Sequence, residues 1–156
     1  MDAPYQIRRA GVADVPAIVD VERACFNDPW SARSIQEAIQ SETSRAFVAE
    51  KIAGLVGYVL ARISGREGEI LDLAVRPGAR RQGIARRLLG AAMDSLRDSG
   101  VEEVYLEVRE SNRAAIALYR AEGYRPAGMR TDYYRNPPEA ALVLRVAISP
   151  RGFSSC

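Results

Sequence analysis

Histidine is absent from this sequence of 156 residues, and lysine occurs only once, at Lys51. Without histidine, the serine–histidine and cysteine–histidine nucleophile systems are excluded, and so are most zinc sites. The two cysteines, Cys25 and Cys156, are too few and too far apart to indicate a disulfide framework. We therefore expect a protein of the reducing cytoplasm that binds no metal ion.

Long apolar runs are also missing from the chain. The longest uncharged stretch, near residues 52–61, is interrupted by Gly54 and Gly57 and is far too short to cross a bilayer. The chain opens without the charged leader and apolar run of an export signal. Its length, with 47% hydrophobic and 27% charged residues, fits one compact domain. We expect a single domain over residues 1–148, a short flexible tail over residues 149–156, no membrane contact and a monomer.

The net charge of +2 is too small to indicate a nucleic-acid-binding protein, but this charge is unevenly spread. Residues 76–87 include five arginines and no acidic residue, so this segment carries +5 and the rest of the chain −3. A local positive patch of this size suits a small polyanion. The chain lacks the basic helix with interleaved aromatic residues that is typical of nucleic acid binding, and we expect no direct contact with nucleic acid.

Apolar spacing and turn residues predict the element order βααβββαβαββ. The clearest helix follows Gly83 and carries apolar residues at intervals of four from Ile84 to Leu96. Residues 101–108 alternate as a strand, which places Glu107 on the face opposite the apolar side chains. Strands with interspersed helices indicate an α/β (α+β) domain with three layers around one mixed sheet.

The most informative segment is residues 71–89, with the sequence LDLAVRPGARRQGIARRLL. A buried strand runs into a loop and then into the long helix, whose first backbone N–H groups have no partner within the helix. These N–H groups and the helix dipole favour an anion, and the small residues Gly83 and Ala85 let it approach the backbone. On physical grounds alone, a solvated basic turn that caps an ordinary helix explains the segment equally well.

The stretch Arg80-Arg81-Gln82-Gly83-Ile84-Ala85 resembles the R/Q-x-x-G-x-G/A signature of the GCN5-related N-acetyltransferase (GNAT) superfamily. The element order resembles the GNAT fold from about Tyr5 to Ile148. This resemblance implies a three-layer α/β/α domain around a central mixed, mostly antiparallel sheet. It also implies that the loop binds the pyrophosphate of the co-substrate acetyl-CoA, while the preceding strand binds the pantetheine arm. The implied cofactor-binding residues are Leu73, Ala74, Val75, Arg80, Arg81, Gln82, Gly83, Ile84, Ala85 and, from a later motif, Asn112.

That later motif, LEVRESNRAAIALYRAEGY at residues 106–124, resembles the LEVRxSNxxAxxLYxxxGF block of protein N-terminal acetyltransferases. The FNDPWS stretch at residues 26–31 and the tyrosine pair at 133–134 are similar to features of the RimI-type subgroup. That subgroup acetylates the N-terminal alanine of protein eighteen of the small ribosomal subunit. The resemblance therefore implies a ribosomal protein N-terminus as substrate, with Glu107 as general base and Tyr119 as general acid. The implied substrate-binding residues are Phe26, Pro29, Trp30, Tyr133 and Tyr134.

The sequence is equally compatible with ordinary structural roles for these residues. Glu107 fits a carboxylate paired with Arg109 or another arginine, and Tyr119 fits a core aromatic residue. Asn112 fits a helix cap, which is compatible with a cofactor contact. Trp30 and the two tyrosines fit ordinary packing positions. The alternative functions are acetylation of a lysine or small-molecule amine by the same fold, and a coenzyme A-binding module without catalysis.

Overall fold

The computed structural model of the protein describes residues 4–149, so the predicted tail lies outside the described residues except for its first residue. Its helices are α1 (Val15–Cys25), α2 (Ala32–Gln40), α3 (Ile84–Asp98) and α4 (Arg113–Ala121). Its strands are β1 (Gln6–Arg9), β2 (Phe47–Lys51), β3 (Gly54–Ser64), β4 (Glu67–Val75), β5 (Glu103–Arg109), β6 (Arg125–Tyr134) and β7 (Glu139–Ala147). This order confirms the predicted βααβββαβαββ.

The seven strands form one sheet in the order β1-β2-β3-β4-β5-β7-β6. Among these strands β4 and β5 run parallel, and the other neighbours are antiparallel. Helices α3 and α4 pack on one face, in a core with Leu106 and Val59, while α1 and α2 cover the other face over Tyr58 and Leu60. The predicted three-layer domain around a mixed, mostly antiparallel sheet is confirmed.

Strand β5 has the alternation that the sequence predicts. Val104, Leu106 and Val108 are buried in the core beneath α3, whereas Glu107 is half-buried on the opposite face. On that face α1 packs against β3 and β4. Glu107 therefore lies on the same side of the sheet as α1 and α2, one strand beyond the strands that α1 covers.

The parallel strands β4 and β5 pair over only part of their length, from Glu67↔Glu103 to Ile70↔Leu106. Next to the last of these pairs, the register between β3 and β4 shifts, since Leu60 faces Asp72 while Ala61 faces Ile70. The residue between Ile70 and Asp72 is thus the extra residue of a β-bulge, which bends β4. We call the resulting space between the ends of β4 and β5 the strand gap.

Alternate residues of β4 bond to β3, and the residues between them point their backbone N–H and C=O groups into the strand gap. Arg76 donates its backbone N–H to the carbonyl of Val56 at 2.7 Å, so Arg76 belongs to the set of residues that bond to β3. Because this set alternates along an antiparallel pair, Leu73 and Val75 point their N–H and C=O groups away from β3. These two residues therefore present backbone polar groups to the strand gap.

Close packing between β3 and α3 gives a prediction about Gly57. A Cβ at this position would lie 2.9 Å from the Ala74 carbonyl oxygen and 3.1 Å from a methyl group of Leu88. We expect Gly57→Ala to lower the free energy of unfolding by about 1–3 kcal/mol, measured by urea denaturation. The matched control is Gly90→Ala in α3, where a Cβ meets no atom within 4 Å. Its helix propensity should raise stability by about 0.5–1 kcal/mol, and equal effects of the two changes would contradict the packing argument.

Candidate active site

The loop between β4 and α3 has the backbone of an anion site. Arg81 and Gly83 both adopt left-handed conformations, with φ of 65° and 76°, on either side of Gln82. Where left-handed and right-handed backbone conformations alternate, successive backbone N–H groups point toward the same side. Helix α3 begins at Ile84 without a side-chain cap, so its first N–H groups have no partner within the helix. We call residues 80–83 the basic loop.

The side chains of the basic loop have different roles. Arg80 turns back, and its Nε donates to the Val75 carbonyl at 3.1 Å while its Nη2 lies 3.7 Å from Cys25 Sγ. Gln82 accepts a hydrogen bond from Lys51 Nζ at 2.9 Å. Arg81 is exposed and forms no ion pair or side-chain hydrogen bond with the residues that the structure describes. Arg81 is therefore the loop arginine that is free to meet an anion.

The basic loop and the strand gap follow one another along the chain, and together they fit coenzyme A. The free N–H groups at the start of α3 suit a pyrophosphate, and the Val75 N–H and the Leu73 carbonyl suit an amide-bearing arm. The Val75 carbonyl also accepts from the Cys25 thiol at 3.4 Å, so both of its lone pairs have donors. Asn112 caps α4 by accepting from Ala115 N at 3.2 Å, and its predicted cofactor contact stays a prediction.

Glu107 lies in a compact group with Arg130 and Tyr133. Its Oε1 is 2.6 Å from Arg130 Nη1, and its side chain is 24% exposed. The Arg130 guanidinium stacks over the Tyr133 ring at 4.8 Å from the centroid. A hydrogen bond to Glu107 raises the pKa of the Tyr133 hydroxyl, so this hydroxyl stays protonated near neutral pH. The sequence allowed Glu107 to pair with Arg109 or with another arginine, and its partner in the structure is Arg130. Arg109 instead pairs with Glu139 at 3.3 Å.

Tyr119 combines a buried ring with a hydroxyl that bonds to no other described residue. The residue is 6% exposed, and its ring packs edge-on against Tyr124 at 5.5 Å between centroids. Burial raises the pKa of the Tyr119 hydroxyl, which therefore keeps its proton near neutral pH. The Tyr119 hydroxyl forms no hydrogen bond with another residue in the range 4–149, so it is available as a donor.

The predicted substrate-binding residues form two groups. Tyr133 and Tyr134 pack edge-on at 5.0 Å, and Tyr134 also stacks under Arg109 at 4.4 Å. Burial raises the pKa of Tyr134 to about 12. Phe26 and Trp30 pack against the core beneath α1 and α2, and Pro29 is exposed. The tyrosine pair adjoins Glu107, and a groove that it shares with the α1–α2 residues stays a prediction.

Several polar residues near these groups were missed from the sequence. Lys51 and Arg130 carried no motif signal, because their contacts cross between distant strands and loops. Asp72 did carry a signal, since it interrupts the apolar run of β4. Burial and the neighbouring Glu22 raise the pKa of Asp72, and burial, followed by the proximity of Asp72, raises the pKa of Tyr119. Asp72 therefore lies close enough to influence the candidate acid.

The described residues contain no alternative centre based on a metal or a membrane helix. Within residues 4–149, no three cysteine or carboxylate side chains are close enough to hold a metal ion together. In the same range, no helix is both long and apolar enough to cross a membrane. The candidate site therefore consists of the basic loop, the strand gap, Glu107 with its neighbours, and Tyr119.

Known proteins resemble this chain over most of its length. The family model described as "Acetyltransferase (GNAT) family" matches residues 15–124. A ribosomal protein bS18-alanine N-acetyltransferase of Escherichia coli K12 is 33% identical over 138 residues, covering 87% of this chain and 93% of its own. An N-alpha-acetyltransferase of Sulfurisphaera tokodaii is 32% identical over 152 residues, with coverage of 89% and 91%.

A solved structure gives the same result for the fold. The crystal structure of the ribosomal-protein-S18-alanine N-acetyltransferase from Escherichia coli superposes with a TM-score of 0.88. The two chains are 31% identical, and the match covers 97% of this chain and 98% of the other. The family match spans more than half of the chain and includes both the basic loop and Tyr119. The chain therefore belongs to the GNAT family and is an acetyl-CoA-dependent acetyltransferase.

Proposed function

We propose that this enzyme acetylates the α-amine of a protein N-terminus, and specifically the N-terminal alanine of protein eighteen of the small ribosomal subunit. The observation that carries the proposal is the position of Glu107, with Arg130 and Tyr133, on the same face of the sheet as α1 and α2. The names of the similar proteins from E. coli and S. tokodaii support the same substrate class. A cytoplasmic, monomeric single domain over residues 1–148 is part of this proposal.

In this proposal the two faces of the sheet bind different substrates. The basic loop and the start of α3 bind the pyrophosphate of acetyl-CoA, with Arg81 as the free cation and small Ala85 at the helix start. The backbone of Leu73 and Val75 holds the pantetheine arm in the strand gap. The peptide enters on the α1–α2 face, between Trp30 and the tyrosine pair. The two substrates then meet where β4 and β5 separate.

The chemistry requires one proton to leave the amine and one to reach the thiolate. A protein α-amine has a reference pKa of about 7.7–8.0, so near neutral pH much of it is protonated and cannot attack. Glu107 takes that proton, either directly or through a water molecule. The nitrogen then forms the amide bond as the carbon–sulfur bond breaks. Tyr119, whose hydroxyl keeps its proton near neutral pH, donates that proton to the leaving sulfur.

Arg130 has a defined part in this reaction scheme. Its guanidinium is paired with the Glu107 carboxylate when no peptide is bound. A protonated α-amine is also a cation, and it competes for the same carboxylate. Stacking on the exposed Tyr133 gives the guanidinium a place beside the site when the amine approaches Glu107. Arg130 thus keeps the base paired until a cationic substrate replaces it.

A peptide acetylation assay tests the proposed substrate class. The enzyme is incubated with acetyl-CoA and a peptide that begins with alanine and has the ribosomal N-terminal sequence. A matched peptide has a blocked α-amine and a free lysine. We expect mass spectrometry to find acetylation on the free α-amine only, because a lysine amine with a reference pKa of about 10.4 holds its proton more tightly. If only the blocked peptide is acetylated, the proposal is wrong and the enzyme is a lysine acetyltransferase.

Two isosteric substitutions test the proposed proton transfers. Glu107→Gln and Tyr119→Phe should each lower kcat by about 10²–10⁴-fold, the usual contribution of a general acid or base. Coenzyme A affinity, measured by calorimetry, should stay unchanged because neither residue belongs to the basic loop. The matched control is Glu110→Gln, an exposed carboxylate directly after β5. If both variants turn over at the wild-type rate, these residue roles are wrong.

A further inference from the structure

The proposed reaction leaves one buried polar group without a role. Glu22 on α1 is 1% exposed, and Tyr58 on β3 is fully buried. The Tyr58 hydroxyl contacts Glu22 Oε1 and lies 2.9 Å from Asp72 Oδ2 on β4. The other oxygen of Glu22 accepts a hydrogen bond from the backbone N–H of Trp30 at 2.9 Å. We call Glu22, Tyr58 and Asp72 the Glu22 cluster.

The hydrogen bonds of the Glu22 cluster fix its number of protons. A tyrosine hydroxyl has one proton to donate and lone pairs to accept. It can therefore donate to only one of the two carboxyl groups that it contacts. The other contact is a hydrogen bond only if that carboxyl is protonated and donates to the tyrosine oxygen. The cluster consequently holds one negative charge shared over two carboxyl groups.

The surroundings of the cluster favour a proton shared between its two carboxyl groups. Within residues 4–149, no arginine or lysine forms an ion pair with either carboxyl of the cluster. The charged and titratable groups that face the cluster are the Cys25 thiol of α1, with Arg80 Nη2 at 3.7 Å, and the hydroxyls of Tyr119 and Tyr134. Burial, followed by the nearby Glu22, raises the pKa of Asp72. Glu22 accepts hydrogen bonds at both of its carboxylate oxygens, from the Tyr58 hydroxyl and from the Trp30 backbone N–H.

We propose that Glu22 is a positioning residue for peptide binding, which Tyr58 and Asp72 hold in place so that its side chain fixes the backbone of Trp30. The role in peptide binding rests on the proposed function, in which Trp30 lines the groove. The cluster connects α1, the segment that follows it and the two strands beside the strand gap. It thereby sets the distance between the groove wall and β4, where the acetyl group is transferred.

Tryptophan fluorescence tests the position of Trp30 directly, because Trp30 is the only tryptophan in the chain. In Glu22→Ala the Trp30 N–H loses its acceptor, and we expect a red-shifted emission and stronger quenching by acrylamide. Glu22→Gln keeps a carbonyl for Trp30 and an amide donor for Tyr58, so it should restore the wild-type signal. Asp20→Ala, at an exposed position on α1, is the matched control. Wild-type emission and quenching in a folded Glu22→Ala protein would overturn the proposal.

Infrared difference spectroscopy tests the shared proton without using activity. The spectrum of the wild type minus that of Asp72→Asn at neutral pH should contain the C=O band of a protonated carboxylic acid. Glu22→Gln should remove the same band, because one neutral amide donor lets the remaining carboxyl stay ionised. The absence of this band from the wild-type protein, or its persistence in both variants, would contradict the proton count.

Steady-state kinetics connect the cluster to peptide binding. Glu22→Ala should raise KM for the peptide about tenfold, as expected for the loss of one hydrogen bond to a charged group. The values of kcat and of KM for acetyl-CoA should remain at the wild-type level, and Glu22→Gln should restore KM for the peptide. An unchanged peptide KM in Glu22→Ala would overturn the role of Glu22 in peptide binding. If the wild type acetylates no peptide, the proposed function fails, whereas fluorescence and infrared spectra still decide whether Glu22 positions Trp30.

Discussion

The bulge in β4 is the constraint on which the rest of the site depends. An extra residue, Leu71, separates the pairing of Ile70 from that of Asp72, and next to it β4 stops pairing with the parallel strand β5. Were the pairing to continue, the backbone groups of Val75 would be satisfied by β5 and no space would exist for a pantetheine arm. The bulge leaves the Val75 N–H without a partner strand, while the Val75 carbonyl accepts from Arg80 and Cys25 and β3 still holds the other edge of β4. A local irregularity in one strand thus creates a binding site inside a continuous sheet.

The arginines near the strand gap differ in whether they have a partner within the protein. Of the five arginines at residues 76–87, Arg86 pairs with Glu122 at 2.8 Å and Arg87 stacks on Tyr5 at 5.2 Å. Arg76 and Arg80 donate to backbone carbonyls, so Arg81 is the arginine of this segment that has no such contact within the described residues. The arginines of the positive patch therefore stabilise the local structure as well as attract a polyanion. On the opposite face, Glu107 is kept beside a cation.

Sequence patterns predicted the elements well because each element has local signals. The structure confirms three such signals: the apolar residues spaced by four after Gly83, the strand alternation around Glu107 and the helix cap at Asn112. Each of them depends only on residues that are neighbours in the chain. The partner of Glu107 could not be identified, because Arg130 on β6 approaches it across the intervening strand β7. The Glu22 cluster likewise joins residues 36 and 14 positions apart, a pairing that no local period indicates. The bulge left no signal, since Leu71 continues an apolar run.

Amide hydrogen exchange at β4 tests most directly whether the strand gap is the cofactor-binding site. Ala74 lies opposite Tyr58 in the hydrogen-bonded set of β3, whereas Val75 points its N–H into the gap. Without ligand, NMR-detected exchange should therefore be slow at Ala74 and fast at Val75. Saturating coenzyme A should slow exchange at Val75 and leave Ala74 unchanged. Exchange at Val75 that stays fast with coenzyme A bound would contradict the account, because the pantetheine arm would then lie elsewhere.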